Sequence, residues 1–259
     1  MKAERHAKIL QYLSEKHYLA NEELAGKLGV SIVTIRRDIK ELSEQNLVQT
    51  KHGGVVVTDY LNVGNEPHYE TKAFINADAK KAIGRKALEY ITENDLFILD
   101  SGTTNYAFAK QLKMMIKTPI TVVTGDLQIA RELCSNGNIN LVFLGGSIKT
   151  NTYNSYGLFS ESMLENIKSH KLFFGCDGVD IYQGVYNSSL DEISLKRKMI
   201  EVSDSVILMA DSTKFGLKAP YFVCDFSRID KVISDIGITE EQQQLLSEKG
   251  IDLGIAVGN

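Results

Sequence analysis

Seven short apolar runs, separated by stretches long enough for helices, restrict the possible folds of this chain more than any other feature. The runs are LFILD (96–100), ITVVTG (120–125), INLVFLG (139–145), KLFFGCDG (171–178), SVILMAD (205–211), KVISD (231–235) and IDLGIA (251–256). Runs that are apolar at successive positions are typical of strands buried on both faces, and their alternation with helices is typical of a parallel sheet. The sequence therefore predicts an α/β body, residues 72–259, in which helices cover both faces of a mostly parallel sheet.

The first 58 residues carry a different pattern, that of a small α+β domain. An apolar stripe predicts a helix over 4–15. A second helix is expected between Asn21, as its cap, and Gly29, as its left-handed end, and Ser31 can cap a third helix that runs to about Gln45. The glycine pair in KHGG then predicts the turn of a two-stranded hairpin. Three short helices followed by a hairpin predict a winged helix-turn-helix domain over 1–58, and residues 59–71, without helical or strand periodicity, predict a linker.

The third helix of this head is expected to present basic side chains to DNA. Ile35, Ile39 and Leu42 recur at helical spacing and are expected to face the core, which leaves polar residues outside, where a helix can enter a major groove. The candidate DNA contacts are Ser31, Thr34, Arg36, Arg37, Lys40 and, at the hairpin, Lys51 and His52. Asp38 would repel phosphate and is expected to orient Arg37 or a backbone amide. The alternative is that this surface is only a solvated charged face.

Charge and cysteine distribution agree with this division. Residues 1–58 hold 9 Lys and Arg against 7 Asp and Glu, whereas the whole chain holds 29 against 33, so the head is slightly basic and the body acidic. The amino terminus is charged and no apolar run approaches the roughly 18 residues that a membrane span needs, so we expect a cytoplasmic protein without membrane contact. Cys134, Cys176 and Cys224 lack the spacing of metal ligands and are expected to be buried thiols, and no metal site is expected.

Polar residues follow most strands of the body. The segments are DSGTT (100–104), TGD (124–126), LGGS (144–147), GCDGVD (175–180) and ADSTKFG (210–216). In a Rossmann-like open sheet the carboxyl ends of the strands share one edge, where ligands bind at the switch in strand order. The candidate ligand-binding residues are Asp100, Gly102, Thr103, Thr104, Thr124, Gly145, Gly146, Asp177, Gly178, Asp180, Asp211 and Lys214.

These residue types suit a phosphorylated sugar. Carboxylates such as Asp100 and Asp177 accept hydrogen bonds from sugar hydroxyls, and the amides of 102–104, before a helix, can bind phosphate. The alternative for any single position is ordinary turn chemistry, with Lys214 as a surface lysine. The chain contains neither a P-loop nor a GxGxxG motif after the first body strand, so no nucleotide cofactor is expected.

Both parts of the chain resemble DeoR-type bacterial transcriptional regulators. In the head the resemblance rests on VSIVTIRRDIKEL followed by KHGG, and in the body on LDSGTT, LGG, FFGCDGVD and ADSTKFG. It implies that TIRRD belongs to a recognition helix and HGG to a wing, and that the body is similar in fold to ribose-5-phosphate isomerase and binds phosphorylated sugars. SGTT is similar to the phosphate loop of that isomerase, and DGVD to its catalytic DGAD segment.

The resulting hypothesis is a regulator of transcription without enzymatic activity. The resemblance implies a repressor of a carbohydrate-utilisation operon, released from double-stranded operator DNA by a phosphorylated sugar. We expect a homo-oligomer, dimer or tetramer, because one small head touching few phosphates binds weakly at physiological salt.

Two other hypotheses remain at this point. One is a sugar-phosphate isomerase with a DNA-binding head, in which Asp177, Asp180 and Lys214 would carry the chemistry. IYQGVYN, after DGVD, lacks the lysine and glycines that follow in the isomerase, although Glu192 is available. The other is a body that only dimerises, which fits poorly with so many polar strand ends.

Overall fold

The computed structural model describes residues 2–16, 18–58, 67–150 and 152–258. They belong to two compact units, Met1–Ile75 and Asn76–Asn259. This division differs from the predicted one, which placed a linker at 59–71 and began the body at 72. Residues 59–66 of the predicted linker lie outside the described residues.

The first unit, the head, contains four helices and one antiparallel sheet among its described residues. Its elements are α1 (Lys2–Glu15), β1 (Tyr18–Ala20), α2 (Asn21–Leu28), α3 (Ile32–Glu44), β2 (Val48–Lys51), β3 (Gly54–Val57) and α4 (Tyr69–Phe74). The sheet has the strand order β1-β3-β2. The predicted three helices and hairpin are present, and β1 adds a third strand that the sequence pattern did not indicate.

Local sequence explains the tight turn between α2 and α3. Gly29 ends α2 in the left-handed conformation, with φ +62°, and the Ser31 hydroxyl accepts the Thr34 N–H at the start of α3. The prediction that Asn21 caps α2 was wrong, because Ala20 occupies the cap position and Asn21 is the first helical residue. Ile35, Ile39 and Leu42 are buried, as their spacing predicted.

Helix α4 belongs to the head. Tyr69 and Thr71 are buried, α4 packs against α1, and Ile75 packs against the apolar core of the head. A six-residue helix is too short to give a clear period, so the sequence pattern did not separate it from the preceding connector.

The second unit, the body, alternates strands and helices. Its elements are α5 (Ala77–Ala87), β4 (Leu96–Leu99), α6 (Thr103–Met115), β5 (Ile120–Thr124), α7 (Leu127–Leu133), β6 (Ile139–Phe143), β7 (Ser147–Ile148), β8 (Ser155–Tyr156), α8 (Leu158–Leu164), β9 (Ser169–Phe174), β10 (Gly178–Asp180), β11 (Gly184–Asn187), α9 (Ile193–Glu201), β12 (Ser203–Met209), β13 (Tyr221–Cys224), β14 (Lys231–Asp235), α10 (Glu240–Glu248) and β15 (Asp252–Ala256).

All seven predicted runs form one parallel sheet with the strand order β15-β14-β12-β9-β4-β5-β6. From β4 the chain proceeds outward through β5 and β6, then returns to β9 on the other side of β4. The strand order therefore reverses between β4 and β9, and the carboxyl ends of these two strands define the switch point.

Apolar clusters cover both faces of this sheet. On one face, α5, α6 and α7 pack over Phe97 and Phe173, and the Phe108 ring of α6 lies 4.8 Å from that of Phe173. On the other face α8, α9 and α10 contribute Leu164, Met199 and Leu246. The predicted class, a parallel α/β sheet with helices on both faces, is confirmed. A smaller antiparallel sheet, β10-β11-β13, and the β7–β8 hairpin were not predicted.

Candidate functional site

The outer surface of α3 carries the predicted basic residues. Burial of Ile35 and Ile39 leaves Arg36, Arg37 and Lys40 exposed, while Thr34 is half-buried. The side chain of Ser31, although exposed, is occupied as the helix cap. A valine that the sequence analysis did not single out, Val33, is 71% exposed on this helix. Exposed hydroxyl, guanidinium and apolar groups in one helical turn are the groups that read base edges in a major groove.

The β2–β3 turn carries the other two predicted residues. Lys51 and His52 are both exposed, and the turn uses positive φ at His52 (+29°) and Gly53 (+78°). Gly54 is required for a different reason, since a Cβ there would lie 2.5 Å from the Leu19 carbonyl oxygen of β1. The hairpin therefore displays a basic tip held close to the third strand.

Asp38 has the structural role that was expected, with different partners. It is fully buried, and its carboxylate accepts hydrogen bonds from Arg5 Nε at 2.5 Å and Arg5 Nη2 at 2.9 Å, with His6 Nε2 at 3.2 Å. Burial alone would raise the pKa of Asp38, but the bonds and charge of Arg5 outweigh it, so that pKa lies below its ordinary value. Asp38 therefore joins α3 to α1 instead of orienting Arg37.

At the switch point of the body, a buried ion pair joins Asp100 to Lys196. Lys196 Nζ of α9 lies 2.5 Å from Asp100 Oδ2 and 3.0 Å from the Gly175 carbonyl oxygen. Asp100 also accepts the Gly175 N–H at 3.0 Å and the Ser101 N–H at 2.8 Å. The carboxylate thus links the ends of β4 and β9 with α9.

Neighbouring carboxylates keep Lys196 charged. Burial alone would lower its pKa, but the charges of Asp100, Glu192 and Asp177 outweigh that effect, so its pKa lies above the ordinary value. The ammonium also lies 5.0 Å from the centre of the Phe174 ring. Lys196 is therefore a fixed positive charge at the switch point.

Asn105, in the first turn of α6, holds the two central strands together. Its Nδ2 donates to the Asp100 carbonyl at 2.8 Å and to the Phe173 carbonyl at 3.3 Å. Gly102 is the cap residue of α6, with φ +120°. Thr103, buried, and Thr104, half-buried, are the first residues of the helix, whereas the sequence placed both residues before it. A helix amino terminus at this point favours a bound anion.

The loop after β12 places Asp211 and Lys214 in the same region. Asp211 is 2% exposed and caps the short turn Ser212–Lys214 by accepting the Thr213 N–H at 3.2 Å. Burial alone would raise the pKa of Asp211, but the charges of Lys214 and Lys80, with hydrogen bonds from Thr213 and Asn76, outweigh it and lower that pKa.

The thiol of Cys176 lies within the electrostatic reach of these charged groups. Burial raises its pKa to about 12, and the charges that act on it come from Lys214, Asp177, Lys196 and Asp211. Asp177 accepts the Ser188 N–H at 2.9 Å. The ends of β4, β9 and β12, together with α9, thus bring Asp100, Asp177, Asp211, Lys196 and Lys214 to one region of the sheet edge.

Two predicted residues, Gly102 after β4 and Thr124 at the end of β5, both form a hydrogen bond with Asp126. The Gly102 N–H donates to Asp126 Oδ2 at 3.2 Å, and Thr124 Oγ1 accepts the Asp126 N–H at 3.2 Å. Burial raises the pKa of Asp126 to about 6, despite backbone hydrogen bonds from Gly102, Ile129 and Gln128. Thr124 is fully buried and shapes this turn.

Four predicted residues have local contacts away from the ion pair. The Gly145 carbonyl accepts the Ser160 hydroxyl of α8 at 2.7 Å, and a Cβ on Gly146 would lie 2.5 Å from Ser160 Oγ. A Cβ on Gly178 would lie 2.5 Å from the Leu217 carbonyl oxygen, and Asp180 pairs with Lys218 at 3.0 Å. These contacts hold the turns in which the four residues lie.

The sequence analysis missed the residues that surround the predicted carboxylates. They are Asn76, Lys80, Asn105, Asp126, Asn187 and Lys196, and Glu192 was named only as available. Lys196 lies in the charged run LKRKM, which is typical of a solvated helix face. A 3.6-residue period nevertheless places Lys196 beside the buried Leu195 and Met199. That period was the available signal.

The cysteine prediction was wrong at one position. Cys224 is buried and Cys176 is half-buried, but Cys134 is exposed at the end of α7. Among the described residues, no set of three or more His, Cys, Asp or Glu side chains is arranged to hold a metal ion. Within the same residues, no helix has the length and apolarity needed to cross a bilayer.

A winged helix-turn-helix with an exposed basic helix, in a chain that also contains an α/β domain, defines the class of DNA-binding regulators of transcription. Residues 5–60 match the family model described as a DeoR-like helix-turn-helix domain, and residues 75–236 match the DeoR C-terminal sensor domain. The chain belongs to the DeoR family of transcriptional regulators.

Relatives of this chain agree with that assignment over nearly its full length. It is 31% identical to the L-fucose operon activator of Haemophilus influenzae, covering 94% of this chain and 96% of that protein. It is 30% identical to the glycerol-3-phosphate regulon repressor of Escherichia coli, covering 96% and 97%. These relatives are regulators of transcription, so the chain is a regulator and not the isomerase considered above.

A solved structure also resembles part of the chain. Ribose-5-phosphate isomerase A of Neisseria gonorrhoeae aligns with a TM-score of 0.41 and 17% identity, covering 58% of this chain and 56% of that one.

Proposed function

We propose that this protein represses a carbohydrate-utilisation operon and is released from its operator by a phosphorylated sugar. The observation that carries the proposal is the buried group of charges around Asp100 and Lys196 at the switch point of a domain joined to a DNA-binding head. The named relatives include both a repressor and an activator, and repression is the sign that we propose for this chain. As a regulator of transcription of this family, it is proposed to act in the cytoplasm.

In the head, α3 enters the major groove and the β2–β3 hairpin lies along the backbone. Arg36 and Arg37 supply bidentate donors suited to guanine, and Val33 supplies an apolar contact suited to a thymine methyl group. Lys40, Lys51 and His52 contact phosphates. Phosphate contacts set the register on DNA, and base contacts set the sequence that is read.

In the body, the phosphate of the effector binds at the amino terminus of α6 beside Lys214. Because the Gly102 N–H already donates to Asp126, the amides of 103 and 104 provide the donors and the ammonium of Lys214 provides positive charge. The sugar hydroxyls donate to the carboxylates of Asp177 and Asp211. The remaining candidate positions, Thr124, Gly145, Gly146, Gly178 and Asp180, shape the surrounding turns.

The active form is a homo-oligomer, either a dimer or a tetramer. One head offers few phosphate contacts, and joining two heads through their bodies raises the effective concentration of the second head at a repeated operator. The body is acidic and repels DNA, so its contribution is self-association and ligand response.

The test is fluorescence anisotropy on a labelled DNA fragment from upstream of the protein's own gene. The panel consists of glucose 6-phosphate, ribose 5-phosphate, erythrose 4-phosphate and glycerol 3-phosphate, each beside its unphosphorylated counterpart. We expect binding that one phosphorylated compound reverses and its counterpart does not. Equal binding to random DNA, or indifference to the whole panel, would overturn the proposal.

A further inference from the structure

The body begins at a residue with an unusual backbone conformation. Ile75 is the last residue of the head unit and Asn76 is the first of the body unit. Asn76 has φ +51° and ψ +39°, the left-handed region that asparagine tolerates better than most residues. The backbone changes direction here, immediately before α5.

The side chain of Asn76 is bound to the loop after β12. Its Nδ2 donates to Asp211 Oδ1 at 3.0 Å and lies 3.1 Å from Thr213 Oγ1. Thr213 donates to the same Asp211 oxygen through its N–H and through its hydroxyl. Asp211 therefore accepts hydrogen bonds both from its own loop and from Asn76, the first residue of the body. Residues 211–214 are called the crevice loop, because they border the proposed sugar-phosphate site.

A second connection reinforces this one. The Lys80 N–H donates to the Asn76 carbonyl at 3.0 Å, and the nearly buried ammonium of Lys80 attracts the Asp211 carboxylate. The first turn of α5 and the crevice loop are thus held to each other by a donor and a charge. A ligand that donates to the Asp211 carboxylate must compete with these contacts.

We propose that Asn76, Asp211 and Thr213 form a latch through which occupancy of the crevice loop changes the backbone at the junction between head and body. This inference rests on the proposed function, because it concerns how the effector alters operator binding. A hydroxyl of the bound sugar that donates to Asp211 competes with the Asn76 amide for the carboxylate and weakens the hold on that amide. The left-handed residue is then released to another conformation, which redirects the chain that leads to the head.

Two substitutions of Asn76 test the latch in the full-length protein. Asn76→Gly keeps access to positive φ and removes both side-chain hydrogen bonds. Asn76→Asp keeps the size of the side chain, loses the donor and places a second carboxylate beside Asp211. The matched control is Ser212→Ala, which removes the Ser212 hydroxyl bond to Asp235 Oδ2, 3.1 Å long, from the same loop. Circular dichroism establishes that each variant folds.

The measured quantity is the coupling factor, the ratio of operator dissociation constants with and without the releasing compound. The probes are ribose 5-phosphate, glucose 6-phosphate, erythrose 4-phosphate and glycerol 3-phosphate. Because coupling factors in allosteric proteins are typically about 5–150, we expect both Asn76 variants to lose at least about fivefold of this factor, or all of it where it is smaller. Ser212→Ala should stay within about twofold of the wild type.

Hydrogen exchange on the wild-type protein gives a test that does not depend on folding of the variants. The releasing compound should lower the protection of the Lys80 amide, whose acceptor is the Asn76 carbonyl. Unchanged protection would overturn the latch, as would folded Asn76 variants with wild-type coupling or a Ser212→Ala variant that loses as much. A wild-type protein that ignores every probe would instead overturn the proposed function, and the latch with it.

Discussion

The ammonium of Lys196 lies 2.5 Å from a carboxylate oxygen of Asp100, and the two side chains are 3% and 1% exposed. Removing both charges from water costs several kcal/mol each, and their attraction offsets this only when further hydrogen bonds are present. Here the N–H groups of Ser101 and Gly175 donate to Asp100, and the Gly175 carbonyl accepts from Lys196. The pair fixes α9 against the ends of β4 and β9.

Lys196→Met should lower the free energy of unfolding by about 3–5 kcal/mol, because it leaves the Asp100 carboxylate buried without its cation. Chemical denaturation of the full chain measures this loss. Adding Asp100→Asn should recover a large part of it, since the second change removes the isolated charge. A double variant as unstable as the sum of the two single variants would indicate that the two side chains are not coupled.

Arg36→Ala should weaken operator binding by about 1–3 kcal/mol and relax specificity at the base pair that Arg36 reads. Its guanidinium is exposed on α3, so the melting temperature should not change. The control is Lys8→Ala, which removes an exposed charge of the same sign from α1. Equal losses in the two variants would mean that only the overall charge of the head matters.

Asp38→Ala should greatly lower the stability of the head, whereas Arg36→Ala should leave it unchanged. It removes the acceptor of two Arg5 hydrogen bonds and of the His6 contact inside the head, and breaking a buried ion pair costs about 3–5 kcal/mol. Arg5 is partly exposed, which places the expected loss at the lower end. Differential scanning calorimetry measures it, and a wild-type melting profile would contradict the assigned role of Asp38.

The stability of the body should depend on the protonation of Asp126. Its pKa is about 6 in the folded protein and about 3.9 in an unfolded chain, so the folded state binds the extra proton between these values. Stability from this group is therefore present at low pH and lost as pH rises through about 6. Compared with Asp126→Asn, the wild-type protein should lose on the order of 1–3 kcal/mol between pH 4 and pH 7. A constant difference would mean that Asp126 is ionised throughout.

Lys214→Ala should leave operator affinity intact and remove the response to the sugar phosphate. Lys214 is half-buried in the loop after β12, where its charge acts on Asp211 and Cys176. Operator titrations with and without the sugar phosphate test this. Lys218→Ala, in the same segment between β12 and β13, is the control. Normal release of the Lys214→Ala variant would refute the assignment of the crevice.

The sheet was predictable because burial on both faces leaves a direct mark in the sequence. Each of the seven strands, such as Leu96–Leu99 and Lys231–Asp235, is a short apolar run that has few alternatives to a central parallel strand. The head was predictable because Gly29 and Ser31 specify the turn between α2 and α3. Family resemblance then supplied the biological role that spacing alone does not carry.

The charged neighbours of the site were not predictable in the same way. Lys80 and Lys196 have the composition of solvated helix residues, and their burial depends on carboxylates far away in the chain, such as Asp100 and Asp211. Asp38 was expected beside Arg37, but its partner Arg5 comes from another helix. Long-range pairing is decided by how elements pack, so a local pattern identifies the carboxylate and not its partner.

In the proposed function operator and sugar phosphate bind antagonistically, and calorimetric titration measures this antagonism. The releasing compound is titrated into the free protein and into the operator complex under the same salt conditions. Linkage requires that it bind the free protein more tightly by the same factor by which it weakens operator binding. Equal affinity for the two forms would contradict the account.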